Sequence, residues 1–559
     1  MCAQKLAPLL TKVKVSRFFY KACGYTDEDL KRPIIGIVNS FNEACPGHIH
    51  LKMLADAVKA GVYAAGGTPI EINVIGPCAA YSRNYRYDLP TRDTIANSME
   101  IQLMQSVCDG IVCMCTCDKI VPGMWLGAAR LDLPTIFVTG GPSLPGEFKG
   151  EETCFPLDAL VPIISDYAKG LISEEELWRE IGVAEETWIR TYGACPEMTT
   201  ANTVQMLTEA MGLAFPYSTT TPAPYSLKLR LARRSGMCIV EAARKRLSFR
   251  KIVTEKSLEN ALRVLCAVGG GTNGALHVFA LAYELGLSDK INPDRLDEIS
   301  RSTPFLSAIR PSGPFTVVDF HEAGGVPGVM RELGDLIHRD ALTVTGETIG
   351  AIIESASIKR RDVIRSRSDP VYPEGAFAVL KGNIAPRGAI CRYTAVKKEL
   401  LQFEGEANVC NSLEEAVIKV VTGKVEAGQV LVVRYEGPRG GPGMTEIVIV
   451  LFLLRMLGIE NIAVVTDGRY SGTAEKVLYI GHVCPEAAVG GPIAVVEDGD
   501  VIEIDVPARK INVKLPDKEI ERRLKEWTRP KPRVRRGVLA IWAQLAEQAD
   551  VGAVLRSKI

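Results

Sequence analysis

From residue 33 onward, short apolar runs alternate with segments of helical length. PIIGIVNS (33–40) is followed by HLKMLADAVKAGVYAAGG (50–67) and then by PIEINVIG (69–76); DGIVCMC (109–115), GMWLGAARLDL (123–133) and PTIFVTGG (134–141) repeat the order. Repeated strand–helix–strand units predict a parallel sheet covered by helices on both faces. The fold class expected is therefore α/β, with an N-terminal α/β/α domain over residues 1–367. Such sheets place ligands in the loops beyond the carboxyl ends of their strands.

The texture changes after SRSDPVYPEG (366–375), a polar stretch with two prolines that reads as a linker. Beyond it, AFAVLKG, GQVLVVRYEG, NIAVVTDG, GPIAVVEDGDVIEIDV and KINVKL are short β runs divided by glycine-rich turns. They predict a β-barrel-like second domain over 375–559 with a C-terminal helical tail. Heptads, low-complexity tracts and short-period repeats are absent from the sequence.

Charge excludes some functions. The 559 residues hold 66 Lys plus Arg and 66 Asp plus Glu, so no net field draws the chain to nucleic acid or an acidic membrane. The N-terminus lacks the apolar core of a signal peptide, and the longest apolar run, 447–454, ends at Arg455, far short of a bilayer span. A soluble, cytoplasmic enzyme of small-molecule metabolism is expected.

Fifteen cysteines in a large neutral chain do not read as a disulfide framework. Cys2, Cys23, Cys108, Cys154, Cys238, Cys266, Cys391, Cys410 and Cys484 read as small buried apolar residues. In IVCMCTCDKIVPGM (111–124), Cys113, Cys115 and Cys117 fall on one face of a strand, about 6.6 Å apart, too far for a neighbouring disulfide. Cys113 and Cys115 fit as core filler, whereas Cys117 sits where strand becomes loop. Cys195 in YGACPEMTTANT, Cys78 in VIGPCAAYS and Cys45 in NEACPGH occupy comparable transitions. Several thiols are required to hold an iron–sulfur cluster. Asp118 and a downstream glutamate are hard oxygen ligands suited to Mg²⁺, but an unmodified Lys119 only donates.

CDKIVPGM (117–124), GACPEMTTANT (193–203), HEAGGVPGVM (321–330), LKGNIAPRGA (380–389), RYEGPRGGPGM (434–444), TDGRYSG and GHVCPEA (within 466–487) closely resemble the dihydroxy-acid dehydratase and sugar-acid dehydratase family. The motifs recur in family order. The resemblance implies a hydro-lyase forming a 2-keto acid, with an iron–sulfur cluster and Mg²⁺, as a homodimer or homotetramer. It implies cluster ligands at Cys117 and Cys195, Mg²⁺ ligands at Asp118 and Glu446, a carbamylated Lys119 and a catalytic base at Ser471.

Two departures bear on the site. Gly47 stands where many members have a cluster cysteine, leaving Cys78, or less favourably Cys45, as third ligand and the cluster type, [2Fe–2S] or [4Fe–4S], open. Ala79 stands where the family supplies a Mg²⁺ aspartate; either water fills the gap or Asp88 or Asp93 moves in. The same loop brings Arg83, Arg86 and Tyr85 toward the expected substrate position, which suggests a more polar polyhydroxy acid, an aldonate included, as the alternative substrate. A non-catalytic iron–sulfur paralogue is the rival of another class. GGGTNGALH (269–277) lacks the lysine of a phosphate loop, and His48, His50, His277, His321 and His482 read as structural.

Overall fold

Four parallel strands open the computed structural model, which describes residues 15–78, 80, 84–470 and 476–556. They are β1 (Ile34–Asn39), β2 (Thr68–Asn73), β3 (Gly110–Cys115) and β4 (Thr135–Thr139), in the order β2-β1-β3-β4. β1, β3 and β4 are buried at every position, as near-continuous apolar strands of a covered parallel sheet should be. Helices Leu51–Ala64 and Ser226–Arg244 cross at two glycines. A Cβ on Gly61 would lie 2.0 Å from Arg233 O and one on Gly236 2.1 Å from Val58 O, so the contact requires bare backbone on both sides. A short hairpin, β5 (Gly146–Phe148) and β6 (Glu151–Thr153), leads into helix Pro156–Ala168. Helices Glu255–Val268 and Thr272–Leu285 are buried almost throughout, which marks them as central.

Residues 366–375 run without helix, held by the Phe305–Tyr372 bridge and by the Gly375 N–H on Ser300 O, into an eight-stranded sheet. Its strands are β7 (Phe377–Leu380), β8 (Gly388–Arg392), β9 (Gln402–Cys410), β10 (Val430–Val433), β11 (Ile462–Thr466), β12 (Val477–Cys484), β13 (Val501–Asp505) and β14 (Lys510–Val513), in the order β14-β13-β9-β10-β11-β12-β8-β7. The edges meet: Lys381 N–H donates to Arg509 O at 3.0 Å and Ile511 N–H to Lys381 O at 3.1 Å, so the sheet curls into a nearly closed barrel. Alternate residues such as Val432, Val465 and Ile480 fill its interior. Leu431, Val433 and Val464 pack outward with helices Leu413–Val421 and Val448–Met456.

The barrel-like second half holds, with differences in detail. β8, β9 and β12 lie outside the runs that alternation picks out. β9 carries Glu404, Gly405 and Glu406 on a half-exposed stretch, and β12 is apolar without alternation because both faces are covered. In GPIAVVEDGDVIEIDV the first half forms the 3₁₀ turn Pro492–Val495, and only Val501–Asp505 is strand. Cys23 is exposed rather than core. Among the described residues no helix is long and apolar enough to cross a membrane.

Candidate active site

β3 ends at Cys115 and helix Ile120–Leu131 begins five residues on, so Cys117, Asp118 and Lys119 form the turn at a strand's carboxyl end. Cys117 is held from behind. Its backbone N–H donates to His48 Nε2 at 3.2 Å, and His48 Nδ1 donates to Ser40 O at 2.7 Å. A Cβ on Gly47 would come 2.7 Å from Cys117 Sγ, so the glycine leaves the sulfur its room. Cys195 is fixed by Asn202 of the following helix, whose Nδ2 donates to Cys195 O at 2.6 Å.

Cys78, Cys117 and Cys195 line one cavity of about 780 Å³. Cys45 lies fully buried behind them, its Sγ 3.8 Å from Cys117 Sγ, and does not reach the cavity. Ligand atoms of Cys45, His48 and Cys117 fall within 4.8 Å of one another, a grouping that could hold a metal ion. Both His48 nitrogens are already committed, however, so the ring positions Cys117 rather than offering a lone pair. Thiols crowded this closely do not ionise alike: hydrogen bonds from Cys117 and Cys45 pull the Cys78 thiol well down, and the Cys45 and Cys78 sulfurs push Cys117 up. Burial, with Cys78 beside it, also raises Cys195.

Charged groups from both halves adjoin the thiols. Lys119 Nζ lies 3.0 Å from Asp88 Oδ2 and 3.2 Å from Asp118 Oδ2. Arg469, fully buried, pairs through NH2 with Asp88 and through NH1 with Glu446 Oε2 at 2.5 Å. Asn273 Nδ2 donates to Glu446 Oε2 at 3.1 Å, while Glu446 Oε1 finds no hydrogen-bond partner among the described residues. Burial raises Asp118 and Glu446 against their cations; for Asp88, burial is overcome by Lys119 and Arg469, which hold it below the ordinary carboxylate value.

Asp88 is thus brought to the cluster of charges and Asp93 is not: Asp93 bonds Arg92 Nε at 3.1 Å and accepts the Leu555 N–H at 3.1 Å. Tyr85 lines the cavity. Arg86 turns to the barrel, where Glu414 at 2.8 Å and Glu436 at 3.3 Å take its guanidinium. Ser471, Arg83 and Ala79 lie outside the described residues. The two residues before Ser471 are pinned, Arg469 by its carboxylates and Tyr470 by its hydroxyl on Tyr479 O and by Thr272 Oγ1 on its carbonyl. Sequence reasoning passed over Arg469 and Asn273. Their signal lay in the motifs themselves, since a serine base needs a cation nearby and Asn273 falls inside the glycine-rich turn.

Much of the rest of the cavity lining is apolar. Phe155, Leu157, Trp188, Ile189, Val448, Ile449 and Phe452 contribute to it from both halves of the chain, with Asp158, Glu197, Arg310 and Arg455 as the charged groups among them.

The model of the dihydroxy-acid/6-phosphogluconate dehydratase N-terminal domain matches residues 32–352, and that of the C-terminal domain residues 362–553. The chain belongs to this dehydratase family. Similar curated proteins include a dihydroxy-acid dehydratase of Caldanaerobacter subterraneus subsp. tengcongensis, 46% identical over 541 residues and 96% of each chain. Those of Acetivibrio thermocellus and Pyrococcus furiosus are each 44% identical, over 97% of both chains. Members of this dehydratase family are hydro-lyases, and the thiol group at the end of β3 is consistent with the metal cofactors of the family.

Proposed function

We propose that this chain dehydrates a 2,3-dihydroxy carboxylic acid with a branched aliphatic tail to the 2-keto acid. One observation carries the reading: a single cavity sets Cys78, Cys117, Cys195, Asp118 and Glu446 against an apolar wall. Three thiols converging on one cavity suit an iron–sulfur cluster with Cys78, not Cys45, as third ligand, either [2Fe–2S] or [4Fe–4S]. The unpartnered Glu446 Oε1, in the same cavity lining as Asp118, suits Mg²⁺. When bound, these groups supply Lewis-acid polarisation of the substrate's hydroxyl and carboxylate oxygens.

The protein's own residues do the rest. The apolar wall takes the tail and turns the carboxylate and both hydroxyls toward the charged side. Lys119, carbamylated by CO₂ with loss of a proton, becomes an oxygen ligand instead of a donor. Ser471 accepts the C2 proton, with the fixed Arg469 guanidinium two residues away favouring its alkoxide. Hydroxide leaves C3, and the resulting enol tautomerises to the ketone. A branched aliphatic tail suits Phe155, Val448, Ile449 and Phe452, whereas the further hydroxyls of an aldonate would have to reach Asp158, Glu197, Arg310 or Arg455 of the same cavity. The family resemblance implies a homodimer or homotetramer.

The test is 2-keto acid formation by anaerobically reconstituted protein with Mg²⁺. 2,3-Dihydroxyisovalerate is expected to turn over well ahead of gluconate, xylonate and their phosphates. Preference for an aldonate would overturn the substrate, and silence across the panel with an intact cluster would overturn the reaction.

A further inference from the structure

Position 79 carries alanine, which has no ligand atom, and the structure shows a carboxylate arriving from elsewhere in the same loop. We infer that Asp88 serves as the relocated divalent-cation ligand of this chain, beside Asp118 and Glu446. The inference rests on the proposed Mg²⁺ site.

Four observations carry it. Asp88 and Asp118 present their Oδ2 atoms to the same Lys119 Nζ, at 3.0 Å and 3.2 Å, so both carboxylates converge on one point. Asp88 and Glu446 likewise share Arg469. Asp88, Asp118 and Lys119 line a recess of about 110 Å³ together with Cys78 and Cys117, which also line the main cavity. At about 30 Å³ per water, that recess has room for a cation and a few waters. Finally, Glu446 is only 6% exposed and its Oε1 has no hydrogen-bond partner among the described residues, a free lone pair next to the shared arginine.

Residues 86–88 are seated firmly enough to define a ligand. Asp88 is 8% exposed. A Cβ on Gly443 would fall 2.0 Å from Arg86 O, so the backbone at Arg86 lies on the bare backbone of Gly443, and the Arg86 side chain is tied to Glu414 and Glu436. Charge points the same way. Three carboxylates face two cations, Lys119 and Arg469, leaving one negative charge. Carbamylation of Lys119 replaces a cation by an anion, and a bound divalent cation brings the balance back to where it began. Asp93 does not compete, being committed to Arg92 and Leu555.

Mn²⁺, which takes the same oxygen ligands as Mg²⁺, is the probe. The full-length, iron-loaded protein is titrated while free ion is read by its EPR signal and inner-sphere water by proton relaxation. Asp88→Asn should weaken binding about tenfold or more and add one water to the bound ion; Asp93→Asn should change neither, and the double variant A79D/D88N should recover both. In wild-type protein with ¹³C-labelled aspartate carboxyls, bound Mn²⁺ should couple to two carbons, a readout that asks no variant to fold. D88N binding Mn²⁺ within about threefold of wild type, a single coupled carbon, or no Mn²⁺ binding at all overturns the inference. Neither readout needs turnover. Two coupled carbons without dehydratase activity would therefore spare Asp88 and sink the proposed reaction, and one coupled carbon in an active enzyme would do the reverse.

Discussion

His48 holds Cys117 by its backbone: the Cys117 N–H points at Nε2, 3.2 Å away, and the other ring nitrogen is locked on Ser40 O. The bond requires a neutral ring, and burial lowers the His48 pKa accordingly. His48→Ala leaves one buried donor and one buried acceptor unmet, at about 1–3 kcal/mol each, and loosens the turn that aims the sulfur. Urea unfolding and iron per chain after anaerobic reconstitution should both fall. A variant with the wild-type midpoint and full iron would show that the ring positions nothing.

The two candidate third thiols differ in what they face. Cys78 lines the cavity, whereas Cys45 is sealed behind Cys117. Cys78→Ser is expected to lose most of its iron and its visible absorption, as Cys117→Ser and Cys195→Ser should, while Cys45→Ser retains both. The opposite pattern would exchange the two assignments.

Arg92 ties the C-terminal segment to the first half. Fully buried, it donates to Gly552 O at 2.9 Å and Ala553 O at 2.8 Å and pairs with Asp93. Arg92→Leu strands a buried carboxylate and two carbonyls, which should cost about 3–5 kcal/mol. Hydrogen exchange would report early release of residues 549–556, and unchanged protection there would refute the tie.

Acid stability follows from buried groups of opposite sign. Burial holds His50 and His321 at about 4 and His482 at about 3, against about 6.5 when unfolded. The unfolded chain therefore binds protons that the folded chain refuses, and this stability, present above about pH 6.5, is lost as pH falls toward those values. Burial raises Glu197 and Glu209 to about 7. Their contribution runs the other way and declines as pH rises from about 4.5 to 7. The urea midpoint of the cofactor-free protein should change little between about pH 5 and 6.5 and drop steeply below about pH 4.5. A steady decline from neutrality would mean that the two sets do not offset.

Much of this was legible from periodicity. β1, β3 and β4 announce themselves because both faces are buried, and Cys117 stood out because a strand end in a parallel sheet is where chemistry sits. What escaped depended on partners distant in the chain. Arg86 looked like a substrate ligand until Glu414 and Glu436 took its guanidinium. Asp88 and Asp93 were equivalent on paper, and only the turn into helix Pro90–Met104 sends one to Lys119 and the other to the C-terminal segment. β9 was hidden by its glutamates, whose charges lie on a face the barrel leaves partly open.

The thiol wall and the charged wall differ in when they can exist. Cys78, Cys117 and Cys195 all leave the ribosome before β7, the first strand of the barrel, has been made. Asp88 must wait for Arg469, which comes after β11, and Arg469 is what links it to Glu446, made after β10. Domains fold in the order of synthesis, N-terminal part first. The nascent chain can gather its sulfurs early, and Asp88 and Asp118 with Lys119, but Glu446 and Arg469 join them only once the barrel has docked.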